Sequence, residues 1–385
     1  MMDTQRMASA LREPIERGAI PGVVAAAADA SGTVFEAGFG TRDVSSGAPM
    51  APDTVVWIAS MTKAVTGACA MQLVEQGKLP LNEPIATIVP QLGRVQVLEG
   101  FDAAGKPRLR AARRPITLRH LLTHTSGFAY DLWNTGIARY MEATGTPGVI
   151  TCQNAALTLP LIADPGERWE YGISIDWVGK AVEAVSGVRL DRYMRENLFE
   201  PLDMSDTTFR ITDEQRGRLA KVHARTSNGI EATDTELPQD PEFHMGGGGL
   251  YSTVGDYLRF TQMILHAGRF NGVQVLRPET VAMMSENAMG NLVCNVMRSA
   301  VPWATNDVEF LAGMKWGLSF LINQDKLSTG RSAGSLAWAG LANSYYWIDP
   351  TRQVTGVFAT QLLPFFDAPA VAAFQAFESA VYAAS

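Results

Sequence analysis

Two serines in this chain stand in settings where a hydroxyl can become a nucleophile. The first opens Ser60-Met61-Thr62-Lys63, where a short predicted strand (Val55 to Ala59) runs into a predicted helix from Ser60 to about Gln76. Three residues apart, Ser60 and Lys63 share a helix face one turn apart. The serine sits at the end of the helix where the dipole favours developing negative charge. Lys63 is the only charged side chain between Met61 and Val74, in a helix apolar around most of its circumference and therefore internal. A lysine held there has its ammonium form penalised and can work near neutral pH as a base or proton relay. The spacing alone is weak evidence; the placement carries it.

The second serine lies in Gly330-Arg331-Ser332-Ala333-Gly334, a match to the nucleophile elbow Gly-x-Ser-x-Gly. That device needs a strand before it, a helix after it, and a histidine later in the chain. Here a turn precedes and a strand follows, and the last of the five histidines is His266. Ser332 is accordingly read as a loop residue. His120 and His124 stand four apart, as zinc ligands on a helix do, but no Glu lies between them and no third ligand is evident, so no metal is expected. The run Gly246 to Gly249 lacks the Lys-Ser/Thr of a phosphate loop and reads as a tight turn.

The elements that must hold Ser60 and Lys63 begin with an N-terminal amphipathic helix. A hairpin follows, with strands Val23 to Ala28 and Thr33 to Gly40 around Ser31-Gly32. From about residue 85 to 300 the signals are mainly helical with long loops. Helices are predicted over Asp176 to Val185 and Thr253 to His266, stopped by Gly187 and Gly268. Strands return at Trp316 to Ile322, Ser335 to Ala339, Ser344 to Ile348 and Val354 to Thr360, before a final helix from about Ala368 to Ala383. The expected fold class is α/β of the α+β type. An antiparallel sheet built from both chain ends is flanked by helices and interrupted by an inserted, mainly helical domain. The sheet domain would take residues 1–85, about 175–240 and about 305–385; the helical domain would take about 86–174 and about 241–304, with the site between them.

Composition narrows the function classes. With 385 residues, 46 % of them apolar and 18 % charged, the chain has material for one or two packed domains and is not disordered. A net charge of −7 argues against a nucleic-acid partner, and the five arginines from Arg108 to Arg119 read as a solvated rim. No apolar window reaches the eighteen residues of a membrane span, and no secretory signal is evident. Cys69, Cys152 and Cys294 form an odd, widely spaced set, expected as buried free thiols in a cytoplasmic protein.

The ordered landmarks resemble the serine β-lactamases, penicillin-binding proteins and their esterase relatives. Ser60-Met61-Thr62-Lys63 resembles the family's Ser-x-x-Lys, and Leu121-Leu122-Thr123-His124-Thr125-Ser126-Gly127 is characteristic of the class C-like branch. Glu170-Tyr171-Gly172-Ile173-Ser174 falls at the catalytic tyrosine motif, Gly247 to Thr253 matches another stretch, and Trp338-Ala339-Gly340 occupies the place of Lys-Thr-Gly. Two departures matter. Ile173 replaces the Asn of Tyr-x-Asn, and Trp338-Ala339 replaces the cation and hydroxyl that help hold a substrate carboxylate. Trp-x-Gly together with Ser-x-x-Lys is similar to the family eight carboxylesterases.

The resemblance implies an acyl-enzyme on Ser60, with Tyr171 as general base, its phenol made more acidic by the Lys63 ammonium. The choice of proton acceptor between Tyr171 and Lys63 stays open at this point. The oxyanion would be held by the backbone N–H groups of Ser60 and Leu341. Trp338 and Gly340 would line the substrate pocket, and Tyr130 is a further candidate facing it. No metal or organic cofactor is implied, and the expected partner is a small uncharged ester. Oligomeric state stays open. A β-lactamase, D-amino-acid peptidase, amidase or acyltransferase would use the same nucleophile; an inactive scaffold relative is the alternative of a different class.

Overall fold

The computed structural model describes residues 3–383. Helix α1 (Thr4–Glu16), capped by the Asp3 carboxylate, leads into strands β1 (Gly22–Asp29) and β2 (Gly32–Asp43) and the short β3 (Ala48–Pro49). Strand β4 (Val56–Trp57) passes through one 3-10 turn, Ala59–Met61, into helix α2 (Thr62–Glu75). Further along come helix α3 (Ser174–Ser186), strand β5 (Tyr251–Ser252) and helix α4 (Val254–Leu265). The C-terminal region supplies β6 (Lys315–Trp316), β7 (Leu321–Ile322), β8 (Leu336–Gly340), β9 (Ser344–Asp349), β10 (Val354–Ala359) and helix α5 (Ala368–Tyr382).

Eight of these ten strands form one sheet in the order β6-β7-β8-β9-β10-β1-β2-β3, antiparallel throughout, while β4 pairs with β5 apart from it. The two chain ends meet where β1 pairs with β10, Val24 opposite Ala359 and Asp29 opposite Val354. Both faces of the central strands are covered. On one side Tyr345 and Trp347 of β9 pack against Phe374 of α5; on the other Tyr346 meets Tyr257 of α4. Double coverage explains why β9 and β10 are buried at every residue and read as continuous apolar runs rather than alternating ones. Helix α2 is buried from Thr62 to Leu73 and packs on α3, and Gly77, at φ +69°, provides its left-handed stop.

The structure departs from the sequence-based expectation in two places. Trp316 to Ile322, expected as one strand, is two two-residue strands folded back on each other, Trp316 opposite Leu321. The chain reverses between them where Ser319 takes φ +81° and Gly317 N–H donates to the Phe320 carbonyl at 2.8 Å. The stretch from 85 to 300 also holds three hairpins, Gln96–Phe101 with Pro107–Ala111, His223–Thr226 with Gly229–Ala232, and the short Arg269–Phe270 with Val273–Gln274. The second turns through Ser227-Asn228, with Thr226 opposite Gly229. Among the described residues no helix is long and apolar enough to cross a membrane.

Candidate active site

Ser60 is presented by a strained turn. Ala59, immediately before it, takes φ +45°, a left-handed conformation that costs an L-residue roughly 1–2 kcal/mol. The strain lifts Ser60 out of the β4 line, so that it borders a pocket while Met61 and Thr62 turn inward and are buried. Strand β8 runs alongside this turn. A Cβ on Gly340 would lie 2.4 Å from the Ile58 carbonyl oxygen, so only glycine lets the backbone leading to Leu341 come this close. Leu341 and Ser60 border the same pocket.

Lys63 is fully buried, and its Nζ is 3.0 Å from Ser60 Oγ, 3.1 Å from Tyr130 OH and 2.5 Å from the Gly247 carbonyl oxygen. It also lies over the Tyr171 ring, 4.7 Å from the centroid. Burial brings its pKa from 10.5 down to about 7, opposed by the attraction of the Asp176 carboxylate. Desolvation outweighs the pull of the nearby aromatic faces and carboxylate, so the amine holds a free lone pair near neutral pH.

Tyr171 is buried, and its oxygen accepts a 2.9 Å hydrogen bond from Trp338 Nε1 and is hydrogen-bonded with Ser60. The expected acidification of this phenol by Lys63 is not found. Burial pushes the Tyr171 pKa up, against the lowering by the Ser60 and Trp338 bonds. Burial likewise pushes Tyr130 well above its ordinary value. Burial thus disfavours the phenolate at both tyrosines and the ammonium at Lys63.

The structure brings Ser60, Lys63, Tyr171 and Tyr130 together. It places Trp338 differently from expectation. Its indole N–H is spent on Tyr171 and its ring packs edge-on to Trp316; neither Trp338 nor Gly340 borders the pocket beside Ser60. That pocket, about 320 Å³, is bordered instead by Leu132, Trp133, Val149, Ile150, Leu341 and Trp303 among others. Asp131 is the one charged residue on its lining, and no cation is there. Trp303, 73 % exposed, and Ile150, 44 % exposed, form an apolar lip. A larger cleft of about 680 Å³ lies along Ile88 to Gln96 and Leu157 to Pro160, but it contains neither nucleophile nor base.

Sequence reasoning missed two participants. Asp176, in the first turn of α3, is fully buried and accepts from Gly247 N–H at 2.9 Å; burial raises its pKa, opposed by the attraction of Lys63. Its sequence signal is weak: a carboxylate in the first turn of a helix that also carries Lys180 and Glu183. The glycine run is a turn, as expected, but its carbonyls are bound to the site: Gly246 accepts from Thr66 Oγ1 at 2.6 Å, Gly247 from Lys63 and Gly248 from Trp57 Nε1 at 2.8 Å.

The other candidates fall elsewhere. Ser332 lies in the loop between β7 and β8, where its N–H donates to Asp349. His124 is buried against Tyr171 and Trp316, and burial lowers its pKa well below the usual imidazole value. His120 accepts from the Thr117 N–H in a helix cap. The described residues contain no group of three His, Cys, Asp or Glu side chains able to hold a metal. Cys69, Cys152 and Cys294 are free and buried.

A serine at the start of a buried helix, an antiparallel sheet assembled from both chain ends, and helices on both its faces define a serine-hydrolase-type β-lactamase fold. The Beta-lactamase family model matches residues 7–380, and the chain belongs to that family. Monacolin J acid methylbutanoyltransferase of Aspergillus terreus is 32 % identical over 401 residues, spanning 98 % of this chain and 95 % of its own. Lovastatin esterase of Penicillium rubens is 29 % identical over 371 residues, spanning 92 % of each. A solved structure of a simvastatin synthase mutant from Aspergillus terreus superposes with a TM-score of 0.86 at 32 % identity, covering 98 % of this chain and 96 % of that one.

Proposed function

We propose that this protein is a serine carboxylesterase that forms an acyl-enzyme on Ser60 from small, uncharged esters. The observation that carries the reading is Ser60 Oγ at 3.0 Å from a fully buried amine whose pKa burial lowers to about 7, on the border of an apolar pocket whose lining carries no cation. Lys63 takes the hydroxyl proton as Oγ attacks the ester carbonyl. Backbone N–H groups of Ser60 and Leu341 receive the oxyanion. Tyr171, protonated and oriented by Trp338, supports the departing alkoxide with its hydroxyl. Water then cleaves the acyl-enzyme with Lys63 again accepting the proton. The pocket offers walls for an apolar acyl or alkoxy group, while a carboxylate-bearing substrate finds there only the like charge of Asp131.

A second reading replaces water by an alcohol acceptor. It is favoured by the 32 % identity, over 98 % of this chain, to a methylbutanoyltransferase, and by the exposed apolar lip that would seat such an acceptor. The three buried free thiols suit a reducing compartment, and we place the protein in the cytoplasm.

Peptide mass spectrometry after an organophosphonate tests the nucleophile: a single adduct on the Ser60 peptide is expected, lost in Ser60→Ala and kept in Ser332→Ala. An adduct on Ser332 overturns the assignment. A p-nitrophenyl ester compared with a chromogenic cephalosporin separates esterase from β-lactamase chemistry, and added alcohols report transfer as a new ester product. A folded protein that turns over no ester and accepts no phosphonate would instead be an inactive relative.

A further inference from the structure

We infer that Asp176 is a positioning residue for the base: its carboxylate fixes the Gly247 peptide so that the Gly247 carbonyl occupies one N–H of Lys63 and the amine lone pair is left aimed at Ser60. The inference rests on the assignment of Lys63 as base in the proposed function.

The bonding capacity of a neutral amine is two N–H donors and one lone pair. Lys63 Nζ has three polar neighbours. The Gly247 oxygen, at 2.5 Å, can only accept, so it fixes one N–H. Tyr130 OH, at 3.1 Å, can accept the second, and in that arrangement both N–H groups are occupied. The lone pair then faces the remaining neighbour, Ser60 Oγ. When acylation begins, the Ser60 O–H proton moves to Nζ and the Oγ–carbon bond forms as the carbonyl electrons shift to oxygen. On collapse the carbon–alkoxy bond breaks and the alkoxide leaves with that proton.

The position of the Gly247 carbonyl therefore matters, and Asp176 is what holds it. Oδ1 of Asp176 accepts the Gly247 N–H at 2.9 Å, from a side chain with no exposure to solvent. Gly247 is wedged against this carboxylate: a Cβ there would lie 2.7 Å from Asp176 Oδ2 and 3.0 Å from Tyr130 OH. Only glycine allows the peptide to bridge from α3 to Lys63. Asp176 Oδ2 has no hydrogen-bond partner and is buried. An unpaired buried carboxylate oxygen is costly, and its compensation is the field of Lys63, which acts on it in turn. The titratable groups around the amine are Asp176 of α3, Tyr130 and His124 from the loops after residues 118–122, and Tyr171 before α3. Among them Asp176 is the anion. Its charge favours the ammonium form of Lys63, while its hydrogen bond positions the neutral form.

The test measures the rate of phosphonate labelling of Ser60 between pH 5 and 10 in wild type, Asp176→Asn and Asp176→Ala, with circular dichroism and thermal melts on each. Asp176→Asn keeps an acceptor for Gly247 N–H and removes the charge, so the acid limb of the profile should move down by about one pH unit. Asp176→Ala also releases Gly247, so the alkaline plateau should fall about tenfold or more. A merely structural aspartate would lower the rate in step with loss of fold and leave the limb where it was. A folded Asp176→Ala protein that keeps the wild-type plateau overturns the positioning role; an unmoved limb in a folded Asp176→Asn protein overturns the coupling of Asp176 to Lys63, even if Asp176→Ala does not fold. Wild type that takes no adduct on Ser60 overturns the proposed function itself; normal wild-type labelling with unchanged variants overturns only the role of Asp176.

Discussion

Replacing Lys63 by Met separates what this amine does for the chemistry from what it costs the fold. Methionine keeps much of the apolar stem and deletes Nζ, so α2 stays packed while the bonds to Ser60, Tyr130 and Gly247 disappear. The fall in pKa from 10.5 to about 7 corresponds to about 5 kcal/mol, at about 1.4 kcal/mol per pH unit. The unfolded chain holds this proton up to about pH 10, whereas the folded chain releases it near 7. Between those values the unfolded state binds more protons, so stability rises with pH across that window and the full cost is present below it. The Lys63→Met variant has no such proton. It does leave the Gly247 carbonyl and the Tyr130 hydroxyl short of a partner, at about 1–3 kcal/mol each. It also strips Asp176 of the charge that offsets its burial, so the variant should lack the rise in stability between pH 7 and 10 that wild type shows. Ester turnover should drop by about 10² to 10⁴ at every pH. Urea unfolding at pH 7 and 9.5, paired with p-nitrophenyl ester hydrolysis, reads both quantities. A variant whose stability rises between pH 7 and 9.5 as steeply as that of wild type, or one retaining most of its turnover, refutes the assignment of Lys63 as the buried base.

The same site supports three smaller tests. Trp338→Phe removes the 2.9 Å bond to Tyr171 OH while leaving the pocket lining intact, so kcat should fall about tenfold with little change in KM; a rise in KM alone would return Trp338 to the substrate wall. Trp303→Ala strips the exposed lip of the pocket and should raise KM for bulky acyl esters more than for acetates, measured across a p-nitrophenyl ester series. Away from the site, hydrogen bonds from Arg110 hold the Asp164 carboxyl down to about 2. The stability it contributes is present above about pH 4 and lost as pH falls toward 2, so Asp164→Asn should lower Tm at pH 7 and leave it unchanged near pH 2.

The central sheet was legible because its strands are unbroken apolar runs ended by turn residues, as in Val23 to Ala28 before Ser31-Gly32 and Ser344 to Ile348 before Asp349-Pro350. The hairpin of Gln96–Phe101 and Pro107–Ala111 was not, because most of its residues are at least partly exposed and its polar, arginine-rich strands carry no clean period of two. Its Arg110 instead pairs with Asp164, far along the chain. Lys63 announced itself as the lone charge in an apolar helix. Asp176 did not, because its helix also carries Lys180 and Glu183 and an acidic residue in a first helical turn is ordinary, complementing the dipole. Nothing local distinguishes a solvated first-turn carboxylate from one sealed beneath Gly247.

Burial also reverses the expected roles within the Lys63 and Tyr171 pair. An ammonium beside a phenol makes that phenol a better acid. The lysine's place in an apolar helix allows it to be the base itself, whereas the family resemblance implies a lysine that stays charged and a tyrosinate that accepts the proton. That order requires the lysine to keep its charge at the pH where the phenol loses its own. In a site with both groups shut away from water, desolvation penalises the ammonium and the phenolate alike, lowering one pKa and raising the other. The lysine then gives up its proton first, near neutrality, and no longer supplies the charge that would have acidified the tyrosine. What remains is an amine able to take the Ser60 proton and a phenol able to give one. Activity should accordingly rise through neutral pH with the titration of Lys63, and Tyr171→Phe should lower the plateau without moving that limb. A limb that moved with Tyr171→Phe would mean that the phenol, despite its burial, is the group that titrates.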